Sequence, residues 1–179
     1  MSRPNEQPTT TPMKTQAITD FIVSKEAKTI TVERSFAAKL DTVWAAWTEA
    51  DKLCQWWAPK PYACVIAALD FRSGGRWSYS MQGPEGDRHY CFFDYEEVRP
   101  KTFYSGRDAF CDEQGNINTA LPSMHWELNF GDQGQSTSVR ILIHFKTEED
   151  LDAIVKMGFK EGFTQGMDQL DELIANTLV

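Results

Sequence analysis

The stretch from Val43 to Trp77, VWAAWTEADKLCQWWAPKPYACVIAALDFRSGGRW, decides the fold, and it holds five of the chain's six tryptophans. Just ahead of it Leu40 starts a spacing of i, i+3, i+4, i+7 through Val43, Trp44 and Trp47, one stripe of a helix, with Asp41 suited to its positive N-terminal end. Thr48 precedes Asp51 by three residues, an approximate capping box. A second short helix then carries Leu53, Trp56 and Trp57 until Pro59 and Pro61 end it. Helices this short hold only when docked on a sheet. The sheet follows at once. Ala63 to Phe71 is a nearly continuous apolar run, Ser73-Gly74-Gly75 is a turn, and Trp77, Tyr79 and Met81 alternate with Arg76, Ser78 and Ser80. The segment reads helix, helix, hairpin, with a wall of flat rings suited either to dense packing or to lining a cavity.

Before this segment, residues 1–20 are rich in Pro, Thr, Gln and Asn and are expected to form a polar, disordered tail, since such a composition buries too little apolar area to offset its ordering entropy. Phe21-Ile22-Val23 gives a short strand. In the next strand Ile30, Val32 and Phe36 alternate with Thr31, Glu33 and Ser35. Arg34 falls on the buried side of that alternation, where a guanidinium needs a carboxylate partner or a wet cavity. After the hairpin, His89 to Val98 is a long strand with aromatic residues on both parities, and Arg99-Pro100-Lys101 turns it into a strand from Thr102 to Phe110. Asp112 to Leu121 reads as a loop. Met124, Trp126, Leu128 and Phe130 then alternate with polar residues, as do Val139, Ile141, Ile143 and Phe145 beyond the turn at Gly131 to Gln135.

The last predicted element is one long helix from Glu148 to about Leu178, with Leu151, Val155, Phe159, Phe163, Met167, Leu170, Leu173 and Ile174 on its apolar side. Gly158, Gly162 and Gly166 recur every fourth residue beside that stripe, each costing about 1 kcal/mol against Ala in a helix interior. They mark either close backbone packing on the sheet or a groove that keeps a cavity open. The predicted class is α+β: a curved antiparallel sheet of about six to seven strands wrapped around a long C-terminal helix, with two short helices after the first strand. One domain over residues 21–179 accounts for the ordered part, and a chain of 179 residues is long enough for a core that buries roughly 70% of the unfolded surface.

A formal charge of −8, with no compensating run of Lys or Arg, argues against nucleic acid and anionic membrane surfaces as partners. The absence of an apolar leader and of any long uncharged apolar run points to a cytoplasmic location. Four cysteines without a C-x-x-C pair are expected to be free thiols, Cys64 and Cys91 among apolar neighbours. Three scattered histidines and four scattered cysteines show no metal-ligand spacing, so neither metal nor cofactor is expected. Nor do the residues supply a catalytic set. His125 and His144 take the polar parity of their strands, His89 stands beside a turn, and Glu96-Glu97 and Glu148-Glu149-Asp150 read as solvated charge. Gly74-Gly75 lies in a hairpin and is not a phosphate loop.

Taken in order, Arg34-Ser35-Phe36, Val43-Trp44-Ala45-Ala46-Trp47-Thr48, Leu53-Cys54-Gln55-Trp56-Trp57-Ala58-Pro59, Asp70-Phe71-Arg72-Ser73-Gly74-Gly75-Arg76-Trp77, Met81, Glu97-Val98-Arg99-Pro100 and the glycine-bearing last helix resemble a known family. It is that of single-domain proteins similar to the C-terminal part of the activator of Hsp90 ATPase, within the START-like (SRPBCC) helix-grip superfamily. The likeness spans about residues 28 to 177. It implies a helix-grip fold with an elongated, mostly apolar cavity between the last helix and the sheet, and no single activity. The chain departs from the family at Lys39 and Ala50, where Pro is common, and at Phe93, where Gly is common; a Phe there would fill part of the cavity or cover the outer face. The polar tail stands where the eukaryotic activator has a chaperone-engaging domain, which argues against a chaperone partner.

The expected function is therefore the binding of a small apolar or amphipathic molecule. Trp44, Trp77, Tyr79, Trp126, Phe159 and Phe163, beside Gly162, would line the cavity, and Arg34 or Arg72 would anchor a polar group. Two other classes stay open: a protein-interaction module, co-chaperone-like or homodimeric, whose tryptophans pack without a cavity, and a cyclase-like enzyme using a cavity Arg, Tyr or Asp.

Overall fold

The computed structural model describes residues 17–177, so the expected polar tail lies almost wholly outside the described residues. In chain order the elements are β1 (Asp20–Ser24), β2 (Thr29–Phe36), α1 (Leu40–Thr48), α2 (Ala50–Leu53), β3 (Ala63–Leu69), β4 (Arg76–Gln82), β5 (Arg88–Arg99), β6 (Phe103–Cys111), β7 (Met124–Asp132), β8 (Thr137–His144), α3 (Glu148–Lys156) and α4 (Phe159–Thr177). The strands form a single antiparallel sheet of order β1-β2-β8-β7-β6-β5-β4-β3, eight strands and so slightly more than expected. Register shifts in β3 between Ile66 and Ala68, and between Tyr95 and Glu97 of β5, mark bulges of the kind that bend a sheet. The concave face grips α3 and α4, and the architecture is the helix-grip fold.

Alternation along the strands places Ile30, Val32, Phe36, Leu128, Ile141 and Ile143 in the core, where Leu151, Ile154, Met167, Leu170 and Ile174 of the last two helices meet them. The single long C-terminal helix expected from the sequence is in fact two. Gly158 takes a left-handed φ of 84°, which glycine adopts without steric cost, and α3 ends there behind its C-cap Met157. Reading Gly158 as a helix-interior residue carried the apolar stripe straight through the break. The phase changes there, so Ile154 is buried and Val155 exposed. At its other end α3 is capped by Thr147, whose Oγ1 accepts from the Asp150 amide at 3.1 Å.

The expected capping box between the short helices does not form. Thr48 remains inside α1, its hydroxyl donating to the Trp44 carbonyl at 2.8 Å, and Glu49 opens α2 without a side-chain cap. Burial holds the pair instead. Trp47 and Trp56 are both 1% exposed, their rings meet edge-on at 4.6 Å, and Trp56 Nε1 donates to the Ala46 carbonyl. Buried Gln169 of α4 then fixes the following loop, its Nε2 donating to the carbonyls of Trp56 and Ala58 and its Oε1 accepting from the Lys60 amide. That clamp sets the position of Trp57.

Candidate functional site

The concave interior is solid at one end and hollow at the other. At the solid end Trp44 packs edge-on against Phe71, Tyr104 and Phe130, while Tyr95 and Phe93 close the cluster from β5. Phe93, one of the departures noted above, points inward. Gly106 of the neighbouring strand makes room for it: a Cβ built at Gly106 would lie 2.3 Å from the Phe93 ring and 2.2 Å from the Asp94 carbonyl oxygen. This plug shortens the elongated cavity that the family resemblance implies.

At the hollow end, under the α3–α4 junction, lies a cavity of about 320 Å³. Its floor and walls come from Tyr79, Cys91, Asp108, Met124 and Trp126 on the sheet, Trp57 from the clamped loop, and Ile154, Phe159, Gly162 and Phe163 from the helices. Exposed Met157 and His89, with half-buried Tyr62, border its mouth. The period-two alternation of β4, β6 and β7 aims Tyr79, Asp108 and Trp126 at the same space, while the break at Gly158 brings Phe159 and Phe163 over them. Those two rings stack at 5.2 Å, and both meet Trp126.

The lining is apolar apart from a small polar cluster. Asp108 Oδ1 accepts from the Met124 amide at 2.9 Å. Burial pushes its carboxyl up to about 7, against a smaller opposing pull from the Met124 amide and the Trp126 indole N–H. Trp126 Nε1 lies close enough to Asp108 to favour its ionised form, yet it makes no hydrogen bond of good geometry. A buried donor left in that state costs about 1–3 kcal/mol. Beside these groups, burial pushes the Cys91 thiol up to about 12 and the Tyr79 phenol well above its ordinary value, so both stay neutral. The site thus offers one titratable carboxyl and one unsatisfied N–H in an otherwise largely apolar, aromatic-rich chamber.

Of the residues singled out from sequence, Tyr79, Trp126, Phe159, Gly162 and Phe163 line this one cavity. The other four do not. Trp77 lies behind the wall, stacked on Tyr79 at 4.1 Å and met edge-on by Trp57. Trp44 belongs to the plug. Arg72 sits in the exposed turn before β4, paired with Asp70 at 3.0 Å. Arg34 points at α4, where it pairs with Asp168 at 2.7 Å and with Asp171 and also donates to the Thr19 hydroxyl, so it is a structural clamp and not a cavity anchor. It borders a separate, polar hollow with Asp20, Gln133 and Ser138. Trp57, Cys91, Met124 and Ile154 of the lining were not singled out from sequence, and the polar residue that sequence reasoning missed is Asp108. It takes the same strand parity as Tyr104 and Gly106, which pair with inward-facing Leu128 and Trp126, and that parity was the available signal.

Among the described residues no helix is long and apolar enough to cross a membrane. Comparison with curated proteins gives no match. Solved structures similar to this chain include a protein from Arthrobacter aurescens, at 24% identity over 88% of this chain and 91% of that one, with a TM-score of 0.84. Protein Ms6760 from Mycobacterium smegmatis is similar at 27% identity, 88% and 96% coverage and a TM-score of 0.80. A Staphylococcus epidermidis protein is similar at 26% identity, 88% and 95% coverage and a TM-score of 0.77. The family model for activator of Hsp90 ATPase homolog 1-like protein matches residues 37–175, which takes in both short helices, the plug and the whole cavity lining. With most of its length accounted for in this way, the chain belongs to the activator of Hsp90 ATPase homolog 1-like family.

Proposed function

We propose that the protein binds a compact, largely apolar ring compound carrying one hydroxyl group, held in the cavity beneath the α3–α4 junction. The observation that carries this reading is the pairing of Asp108 with the unsatisfied Trp126 Nε1–H inside an aromatic chamber. A hydroxyl oxygen can accept from the indole while its proton goes to the carboxylate; below about pH 7 the protonated carboxyl donates instead. The volume favours a compact occupant over a long-chain lipid, since about 320 Å³ is at the lower end of the range for ligand pockets, roughly 300–1,000 Å³. Aromatic walls on three sides favour a flat molecule, which gains edge-to-face contacts beyond its area burial.

The experiment is a tryptophan-fluorescence titration with 2-naphthol and with naphthalene, alongside native mass spectrometry of freshly purified protein. The expected result is saturable quenching by 2-naphthol with tighter binding than naphthalene, and loss of most of that preference in Asp108→Leu. Gly162→Leu, which fills the chamber from α4, should weaken both ligands. Equal affinity for the two compounds would overturn the polar part of the reading, and failure of both to bind the wild-type protein would overturn the reading as a whole.

A further inference from the structure

We infer that His125, Glu127 and His144 form a zinc site on the outer face of the sheet, back to back with the cavity. No spacing along the chain announces it, because His144 stands nineteen residues beyond His125. The register of β7 and β8 makes it: His125 lies directly opposite His144, and Glu127, two residues on, shares their face of the sheet. One donor atom from each of the three residues lies within 4.8 Å of the others. In a tetrahedral site with bonds of about 2.0–2.1 Å, neighbouring donors stand about 3.3 Å apart. His144 Nε2 and Glu127 Oε1 are already separated by 3.3 Å, and small side-chain rotations bring the third donor in.

A second observation separates this cluster from an ordinary surface ion pair. His144 Nε2 is buried and makes no hydrogen bond, although the Glu127 carboxylate is at hydrogen-bonding distance. A buried ring nitrogen without a well-formed hydrogen bond, 3.3 Å from a carboxylate oxygen, is a donor pair that one cation between them would satisfy. Glu96 completes the surroundings: its carboxylate lies 3.0 Å from His125 Nε2 and is itself held by Arg107 at 2.9 Å. A carboxylate in that position orients the ring, as outer-shell carboxylates do for ligating histidines. Two imidazoles and one carboxylate are a donor set that zinc takes with a water in the fourth position, and partial exposure of all three side chains leaves room for that water. The ion would tie β7 to β8 directly behind Trp126.

The test uses the full chain stripped with a chelator, titrated with Zn²⁺ by calorimetry and with Co²⁺ by visible absorption. One ion should bind per chain in the micromolar range or tighter, with Co²⁺ giving the strong bands of a four-coordinate site, and Zn²⁺ should shift the wild-type histidine ring resonances in NMR spectra. His144→Asn and Glu127→Gln should each weaken binding at least about tenfold, and the double variant His125→Asn/His144→Asn about a hundredfold or more. Cys54→Ser/Cys111→Ser, which removes the more accessible thiols, should leave it unchanged. No binding at micromolar Zn²⁺, unmoved histidine resonances, or binding that survives the histidine variants and fails in the cysteine variant would each overturn the inference.

Discussion

Asp108→Asn should convert a pH-dependent stability term into a flat one, and the size of the change follows from the site. An unfolded aspartate ionises near 3.9, whereas burial raises the folded carboxyl to about 7. Between those values the native state keeps a proton that the unfolded chain has released, so raising the pH through the window favours unfolding; above about 7 both states are ionised and the penalty stays constant. At about 1.4 kcal/mol per pH unit the full penalty is about 4 kcal/mol, and the part falling between pH 5 and pH 8 is about 2–3 kcal/mol. Asp108 keeps some solvent contact, which places the expected value at the lower end, about 2 kcal/mol. Asparagine retains an oxygen for the Met124 amide and carries no charge to desolvate, so it isolates this term. Urea melts of both proteins at pH 5 and pH 8 provide the assay, and their difference cancels the other carboxylates. The stability gained by Asp108→Asn should grow by about 2 kcal/mol from the lower pH to the higher. A gain that stays constant across the range would refute the claim that the cavity carboxyl is desolvated.

Arg34→Met should destabilise the domain by about 2–3 kcal/mol, less than the loss of a fully buried pair because Asp168 and Asp171 remain 39% and 29% exposed; chemical denaturation measures it, and 2-naphthol affinity should not change. Gly158→Ala and Gly162→Ala should have opposite signs. The first forces Ala to a φ of 84° and should cost about 1–2 kcal/mol in thermal or urea melts, whereas the second places a methyl at ordinary contact distance, 3.6 Å, from Pro59 and should stabilise by about 0.5–1 kcal/mol. Destabilisation by Gly162→Ala would show that α4 packs more tightly there than the cavity geometry requires.

β2, β7, β8 and the first short helix were legible because each follows one period of burial over several residues: the strands alternate cleanly, and Leu40, Val43 and Trp47 mark one helical stripe. The second short helix ends at Leu53, so Trp56 and Trp57, expected on it, lie in the turns beyond. The break at Gly158 was not legible, because a glycine that ends one helix and a glycine inside a longer helix look alike when another glycine follows four residues on. Trp44 and Trp77 show the limit of residue type as a guide to a site. Aromatic side chains serve a plug and a chamber equally well, and only tertiary placement separates Trp44 against Phe130 from Trp126 over open volume. Arg34 was rightly placed on the buried parity, but its partners lie 134 and 137 residues away, beyond any local pattern. Asp108 differs: its strand parity aims it inward beside Tyr104 and Gly106, a local signal that residue type alone does not carry.

The solid and hollow ends of the interior divide the chain's tolerance to change. Substitutions around Trp44, Tyr104 and Phe130 disturb close-packed rings and draw on a stability margin that is only about 5–15 kcal/mol in an ordinary domain. Around Met81, Phe110 and Met157 a side chain can grow, shrink or change shape into free volume at much smaller expense. A scaffold partitioned this way can be re-specified at one end while the other keeps it folded, so a library confined to the chamber walls should return many folded variants with altered ligand preference, and one confined to the plug should return few.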